Sequence, residues 1–164
     1  MADGGASTFI LLITALLVSG SVSAVLINQW GDMSSALEEN SKGKEADSKT
    51  SVSFAGDAME VDYDDSVTPN VMTFYLQNTG QYVLDEDTLV VMVDGVSVSS
   101  SITATILPSG ASWTDIRLLE VEVSSSSWAY QNDDSVSISA VVSSEVTSGY
   151  RGTDTMNIEV RLDV

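Results

Sequence analysis

The stretch from Met72 to Val98, MTFYLQNTGQYVLDEDTLVVMVDGVSV, sets the fold class of this 164-residue chain. Met72, Phe74 and Leu76 alternate with Thr73, Tyr75 and Gln77, so an extended strand here has one apolar and one wettable face. Asn78-Thr79-Gly80 then reads as a turn whose glycine supplies positive φ cheaply. Thr88 to Val93 is a compact apolar run ending at Asp94-Gly95, the strongest hairpin signal in the chain, and Val96 and Val98 alternate beyond it.

The same period of two spreads in both directions. Downstream, Ile102, Ala104 and Ile106 alternate with threonines up to Pro108-Ser109-Gly110, and Leu119, Val121 and Val123 alternate with Glu120 and Glu122. Val136, Ile138 and Ala140 alternate with serines, and Met156, Ile158, Val160 and Leu162 alternate with polar residues to the end. Upstream, Val52 to Phe54 and Met59 to Tyr63 add two short segments. Eight or nine strands at this spacing predict an all-β sandwich over residues 51–164, with Phe74, Leu76, Leu89, Val91, Ile106, Trp113, Val121, Ile138, Ile158 and Val160 inside.

Ahead of the sandwich the pattern is of another kind. Residues 4–31 carry no charge, and Phe9 to Ile27 (FILLITALLVSGSVSAVLI) is apolar on every face of a helix. At about 1.5 Å per residue, Gly5 to Ile27 spans roughly 35 Å, enough to cross a hydrocarbon core of about 30 Å. Residues 1–30 are therefore read as one transmembrane anchor, with Trp30 at the lipid–water boundary. Val22-Ser23-Ala24 resembles a cleavage site, but no basic residue precedes Lys42 and the apolar run continues past it, so a retained anchor is expected rather than a secretory signal. Ala15, Ser19 and Ser23, with Gly20 and Ala24 beside them, form a small-residue face suited to helix association in lipid, and self-association there is a further expectation. Residues 31–50 are charge-mixed, with Met33, Ala36 and Leu37 at helical spacing, and are expected to extend the helix a few turns before Gly43 as a polar stalk or linker.

Charge and missing residue types restrict the function. The chain has 24 acidic and 6 basic residues, and residues 51–164 alone hold 18 acidic against 3 basic, a net charge of −15. Such a surface repels nucleic acid and anionic lipid and suits solubility at high ionic strength. With neither His nor Cys, the usual nucleophile–base pairs, thiolate zinc sites and disulfides are absent, and an enzyme is not expected. Ser99 to Ser101 and Ser124 to Ser127 have no base beside them in the sequence and read as solvent-facing. Asp62/Asp64/Asp65 and Asp85/Glu86/Asp87 are the two carboxylate clusters. Counted as an EF-hand from Asp62, position six is Val67 and position twelve is Thr73, so the loop fails that pattern. The acids read as solvated turns, and no catalytic, cofactor-binding or metal residue is assigned.

Taken together, the apolar N-terminal helix, Thr73 to Gly80 (TFYLQNTG), Leu84-Asp85 and Val91 to Gly95 (VMVDG) resemble the archaeal flagellin-related proteins. Within them the layout is most similar to the archaellum accessory stator proteins of the flagellar protein G type, partners in an F/G pair and relatives of archaellins and archaeal type IV pilins. The resemblance implies an immunoglobulin-like sandwich outside the membrane on an N-in helix. It also implies contact with a companion accessory protein and the cell envelope or S-layer, to brace a rotating filament. Filament-forming relatives carry a basic residue and Gly before the apolar helix, where Asp3-Gly4-Gly5 stands here. The alternatives are a pilin-like or archaellin-like filament subunit and an anchored surface module binding calcium or carbohydrate. Lys42, Lys44 and Lys49 taken literally would keep the C-terminal side in the cytoplasm, but a folded domain translocates largely regardless of charge. The expected location is the cell membrane, single-pass, with the sandwich extracytoplasmic.

Overall fold

A computed structural model of the chain describes residues 3–110 and 112–164. The expected retained Met1 lies outside them. The described residues fall into two compact units, divided between Ser41 and Lys42.

The first unit is helical. Helix α1 runs from Asp3 to Lys49, 47 residues. From Phe9 to Ile27 its large apolar side chains are exposed, as befits a segment whose solvent is lipid. Three of its hydroxyls are satisfied within the helix: those of Thr14, Ser21 and Ser23 donate to the carbonyls of Ile10, Val18 and Ser19 at 2.8–2.9 Å. The helix also passes Gly43, where the sequence predicts an end. A glycine costs a helix about 1 kcal/mol relative to Ala, and the packing of the last turns, described below, offsets it.

The second unit is the predicted sandwich. Nine strands follow α1: β1 (Val52–Ala55), β2 (Val61–Asp64), β3 (Asn70–Asn78), β4 (Leu84–Val93), β5 (Val96–Ser97), β6 (Ile102–Leu107), β7 (Leu118–Ser125), β8 (Ser135–Ser144) and β9 (Thr153–Asp163). Every predicted strand is present. The segment expected from Met59 begins instead at Val61, because Asp57 caps the preceding turn by accepting from the Met59 N–H at 2.8 Å.

Hydrogen bonding runs in the order β5-β4-β8-β9-β2-β3-β7-β6, with β1 also on β3. One layer holds β1, β2, β3, β7 and β6, and the other holds β5, β4, β8 and β9. A short parallel pairing, Val61 with Leu162, joins the two through β2 and β9. The chain changes layer between β3 and β4, after β5, and between β7 and β8. Alternate residues of the longer strands therefore meet in one shared core. Met72, Phe74, Leu76, Val91, Trp113, Leu119, Val121, Val123 and Ile138 are fully enclosed there. Ile158 is only half-buried, a departure from expectation, since the edge of β9 beside it is paired to β2 only at Leu162 and Asp163. Asp94 and Gly95 have φ of 50° and 76°, as a two-residue turn between β4 and β5 requires.

Candidate functional site

The Asn-Thr-Gly segment does more than turn the chain. Asn78 is fully buried; its side-chain amide donates to the carbonyls of Tyr82 and Trp113, both at 2.8 Å, while its carbonyl oxygen accepts from the Gly80 N–H at 2.9 Å. The loop so held, residues 78–82, presents its amides to the end of α1. Gln81 and Tyr82 N–H groups donate to the Lys49 carbonyl at 2.8 and 3.2 Å, and Thr79 and Gly80 donate to the Ser51 carbonyl at 3.0 and 3.1 Å. Helix ends leave carbonyls without partners, and here a sheet turn supplies the donors.

Gly80 departs from the sequence expectation. Its φ is not in the positive range, so it is not present for left-handed geometry. A Cβ built on it would meet the Lys49 carbonyl oxygen at 2.5 Å and the Ser51 nitrogen at 2.6 Å. Glycine is needed because two backbones approach too closely for any side chain. Gly152, on the other flank, is placed likewise against the Thr50 hydroxyl and the Ala46 carbonyl.

Around these contacts the last two turns of α1 are seated on the sandwich. Ala46 is 1% exposed and Thr50 3%. The Thr50 hydroxyl donates to the Ala46 carbonyl at 2.9 Å, Asp47 accepts from the Thr153 N–H at 3.1 Å, and Asp154 accepts from the Val52 N–H at 2.9 Å. Lys42 and Lys49 lie over the rings of Tyr150 and Tyr82, at 6.0 and 5.6 Å from the centroids. Lys49 also pairs with Glu45, and their shared hydrogen bond raises the lysine's pKa and lowers the carboxyl's. Gly80→Ala and Gly152→Ala are each expected to cost about 1–3 kcal/mol, the usual range for forcing atoms into a packed contact. Denaturant melts of the full chain in detergent would measure it, and unchanged midpoints would show that the seat yields freely.

The acidic clusters serve turns and surface pairs. Asp64 accepts from the Ser66 hydroxyl and N–H at 2.6 and 2.9 Å, which lowers its pKa. Asp85 accepts from the Asp87 N–H and pairs with Arg151 at 3.0 Å. Among the described residues no group of three or more His, Cys, Asp or Glu side chains converges as a metal site would require. The serine runs meet at one end of the sandwich, where Ser97, Ser100, Ser101, Ser125 and Ser127 border a hollow of about 320 Å³ beside Trp128. Tyr130, on the same rim, donates to Asp94 at 2.9 Å; burial first, and this bond second, push its phenol well above its ordinary pKa.

A profile of archaeal-type flagellins matches residues 2–163. The chain belongs to the archaeal-type flagellin family. That membership makes it an archaellum-related protein held by an N-terminal membrane-anchor helix, in a family that is structural rather than enzymatic. Among curated proteins nothing matches this flagellin-family chain. Among solved structures it is similar to the YadV chaperone, at 13% identity and a TM-score of 0.36, over 70% of this chain and only 51% of that one. It is similar also to the CARDB domain of the PF1109 protein from Pyrococcus furiosus, at 9% identity and a TM-score of 0.31, over 70% and 94% of the two chains. The third is AggA, the major subunit of aggregative adherence fimbriae type I from Escherichia coli, at 10% identity and a TM-score of 0.28, over 69% and 92%.

Proposed function

We propose that this chain is an accessory, stator-type component of the archaellum. Residues 1–30 anchor it in the membrane, residues 31–50 form a helical stalk, and the sandwich of residues 51–164 lies outside the cytoplasm. There it braces the filament or motor against the cell envelope through protein contacts, with a companion accessory protein as its first partner and the S-layer as a second. The observation that supports this reading is the seated helix end. A brace needs a firm attachment at the base of its contact domain, and Ala46 to Ser51 are held there against Gly80 and Gly152.

The family's own description favours a second reading, a filament subunit. One preparation separates them. Membrane fractions should contain the chain with an intact Met1 by mass spectrometry, co-purifying with archaellum components at a level well below that of a filament protein. A shortened N-terminus, with the chain recovered from sheared filaments as a polymer, would overturn the bracing role and establish the other.

A further inference from the structure

The two rims of the sandwich are treated differently. On the β4 rim, β5 covers only Met92 and Val93, the register breaks between Asp85 and Val90, and Glu86 and Asp87 project into solvent. Short strands, irregular register and charges are the usual means of keeping a sheet edge from pairing with another chain. On the opposite rim, β6 has none of them. It pairs with β7 through all six of its residues, from Ile102 with Val123 to Leu107 with Leu118, without a register break. None of those six is charged or proline, in a chain of net charge −18.

The sequence of this rim is a palindrome. Residues 102–106 read Ile-Thr-Ala-Thr-Ile from either end. We infer that β6 is a self-pairing edge, joining two copies of this chain by antiparallel addition about a two-fold axis at Ala104. In that register Ile102 faces Ile106 of the other copy, Thr103 faces Thr105, and Ala104 faces its own equivalent. Inward-facing residues meet inward-facing ones: Ile102, Ala104 and Ile106 lie on the core side in each copy, and Thr103 and Thr105 on the wet side. A shift by one residue would set isoleucine against threonine across the pleat. Like residues opposite one another on both faces are what an isologous contact demands.

Charge permits the pairing as well. The nearest acids in register are Glu120 and Glu122, beside Thr105 and Thr103 on β7. Across the joined edge, Glu122 of one copy and Glu120 of the other stand opposite at three strand spacings, about 14 Å. That exceeds the screening length of about 8 Å at physiological salt, so the strong negative charge does not oppose contact at this place. Edge pairing of five residues supplies only about four to six backbone hydrogen bonds. Confinement to a membrane raises the effective concentration at which so small a contact acts. The inference does not rest on the bracing role, since a filament subunit would carry the same edge.

The chain has no cysteine, which makes the register directly measurable. Full-length Thr103→Cys and Thr105→Cys proteins, each exposed at the substituted position, would be purified in detergent, reconstituted into vesicles either singly or together, and put under mild oxidation. Opposed positions lie within disulfide reach, whereas 103 with 103 and 105 with 105 are diagonal neighbours at about 7–8 Å. The mixture should therefore give several-fold more disulfide dimer than either variant alone. Equal yields from all three preparations would overturn the register and the two-fold. A second arm keeps the conclusion independent of cysteine chemistry: T105K, whose charge falls in the middle of the paired edge, should lower amine-crosslinker-independent dimer, read by photo-crosslinking at Ser101, at least several-fold. Dimer unchanged in T105K would place self-association elsewhere, as on the small-residue face of the helix.

Discussion

Truncating Trp113 to alanine is expected to destabilise the sandwich by about 3–5 kcal/mol, the range for removing a large aromatic from a closed core. The indole is wholly enclosed. It sits in the connection from β6 to β7, where its backbone forms an isolated bridge to Leu84 at the start of β4, so it plugs the point at which the two layers are tied. Its ring N–H donates to the Arg117 carbonyl at 3.0 Å, but that carbonyl also accepts from the Asn78 N–H at 3.2 Å. The loss is therefore dominated by the void and not by an orphaned acceptor. Trp128, half-buried and packed tilted against Tyr63 and Tyr130, is the control. Its alanine variant should lose less than half as much. Urea melts followed by far-ultraviolet circular dichroism give both numbers, and equal losses would show that Trp113 is not the tie point.

Replacing Asn78 by alanine is expected to cost about 3 kcal/mol. Two donors and one acceptor disappear at a fully buried site. The Trp113 carbonyl keeps the Leu84 N–H at 3.0 Å and the Gly80 N–H keeps the Ser51 carbonyl, whereas the Tyr82 carbonyl loses the partner that Asn78 supplied. Each buried polar group left short of a partner costs about 1–3 kcal/mol, and the vacated volume adds to it. Asn78→Asp sharpens the test through pH. A carboxylate there would face two carbonyl oxygens, so its folded-state pKa should rise above the unfolded value of about 3.9. A raised carboxyl pKa means that the folded state favours the proton. The variant should then be closest to wild type below about pH 4 and fall behind as pH climbs through the folded-state value. A deficit independent of pH between 4 and 8 would show that the side chain is not held as described.

Most of the architecture was legible because it rests on period-two alternation. Met72, Phe74 and Leu76 against Thr73, Tyr75 and Gln77 is a local signal, and so is Asp94-Gly95. The anchor was legible for a similar reason, as a run of uncharged residues with no face to show water. The seat was not. The neighbours of Gly80 spell a turn, while the constraint upon it comes from Lys49 and Ser51, about thirty positions away. Nothing near Gly152 announces Ala46 at all. Gly43 misled in the opposite sense, since its weak helix propensity is a local cost overridden by contacts formed only after the sheet exists. Asn78 carried its signal in the shape of Asn-Thr-Gly, but a buried hub and an exposed turn use the same three letters.

The seat also determines where a pull on the helix would be felt. Covalently, α1 continues into β1, a strand of four residues that alone would peel from β3 one hydrogen-bonded pair at a time. The Lys49 carbonyl, however, is gripped by the amides of Gln81 and Tyr82, which close the far end of β3 and open toward β4. Tension arriving along α1 is thereby divided between the first strand and the centre of the sheet, and the weak strand is spared from carrying the load by itself.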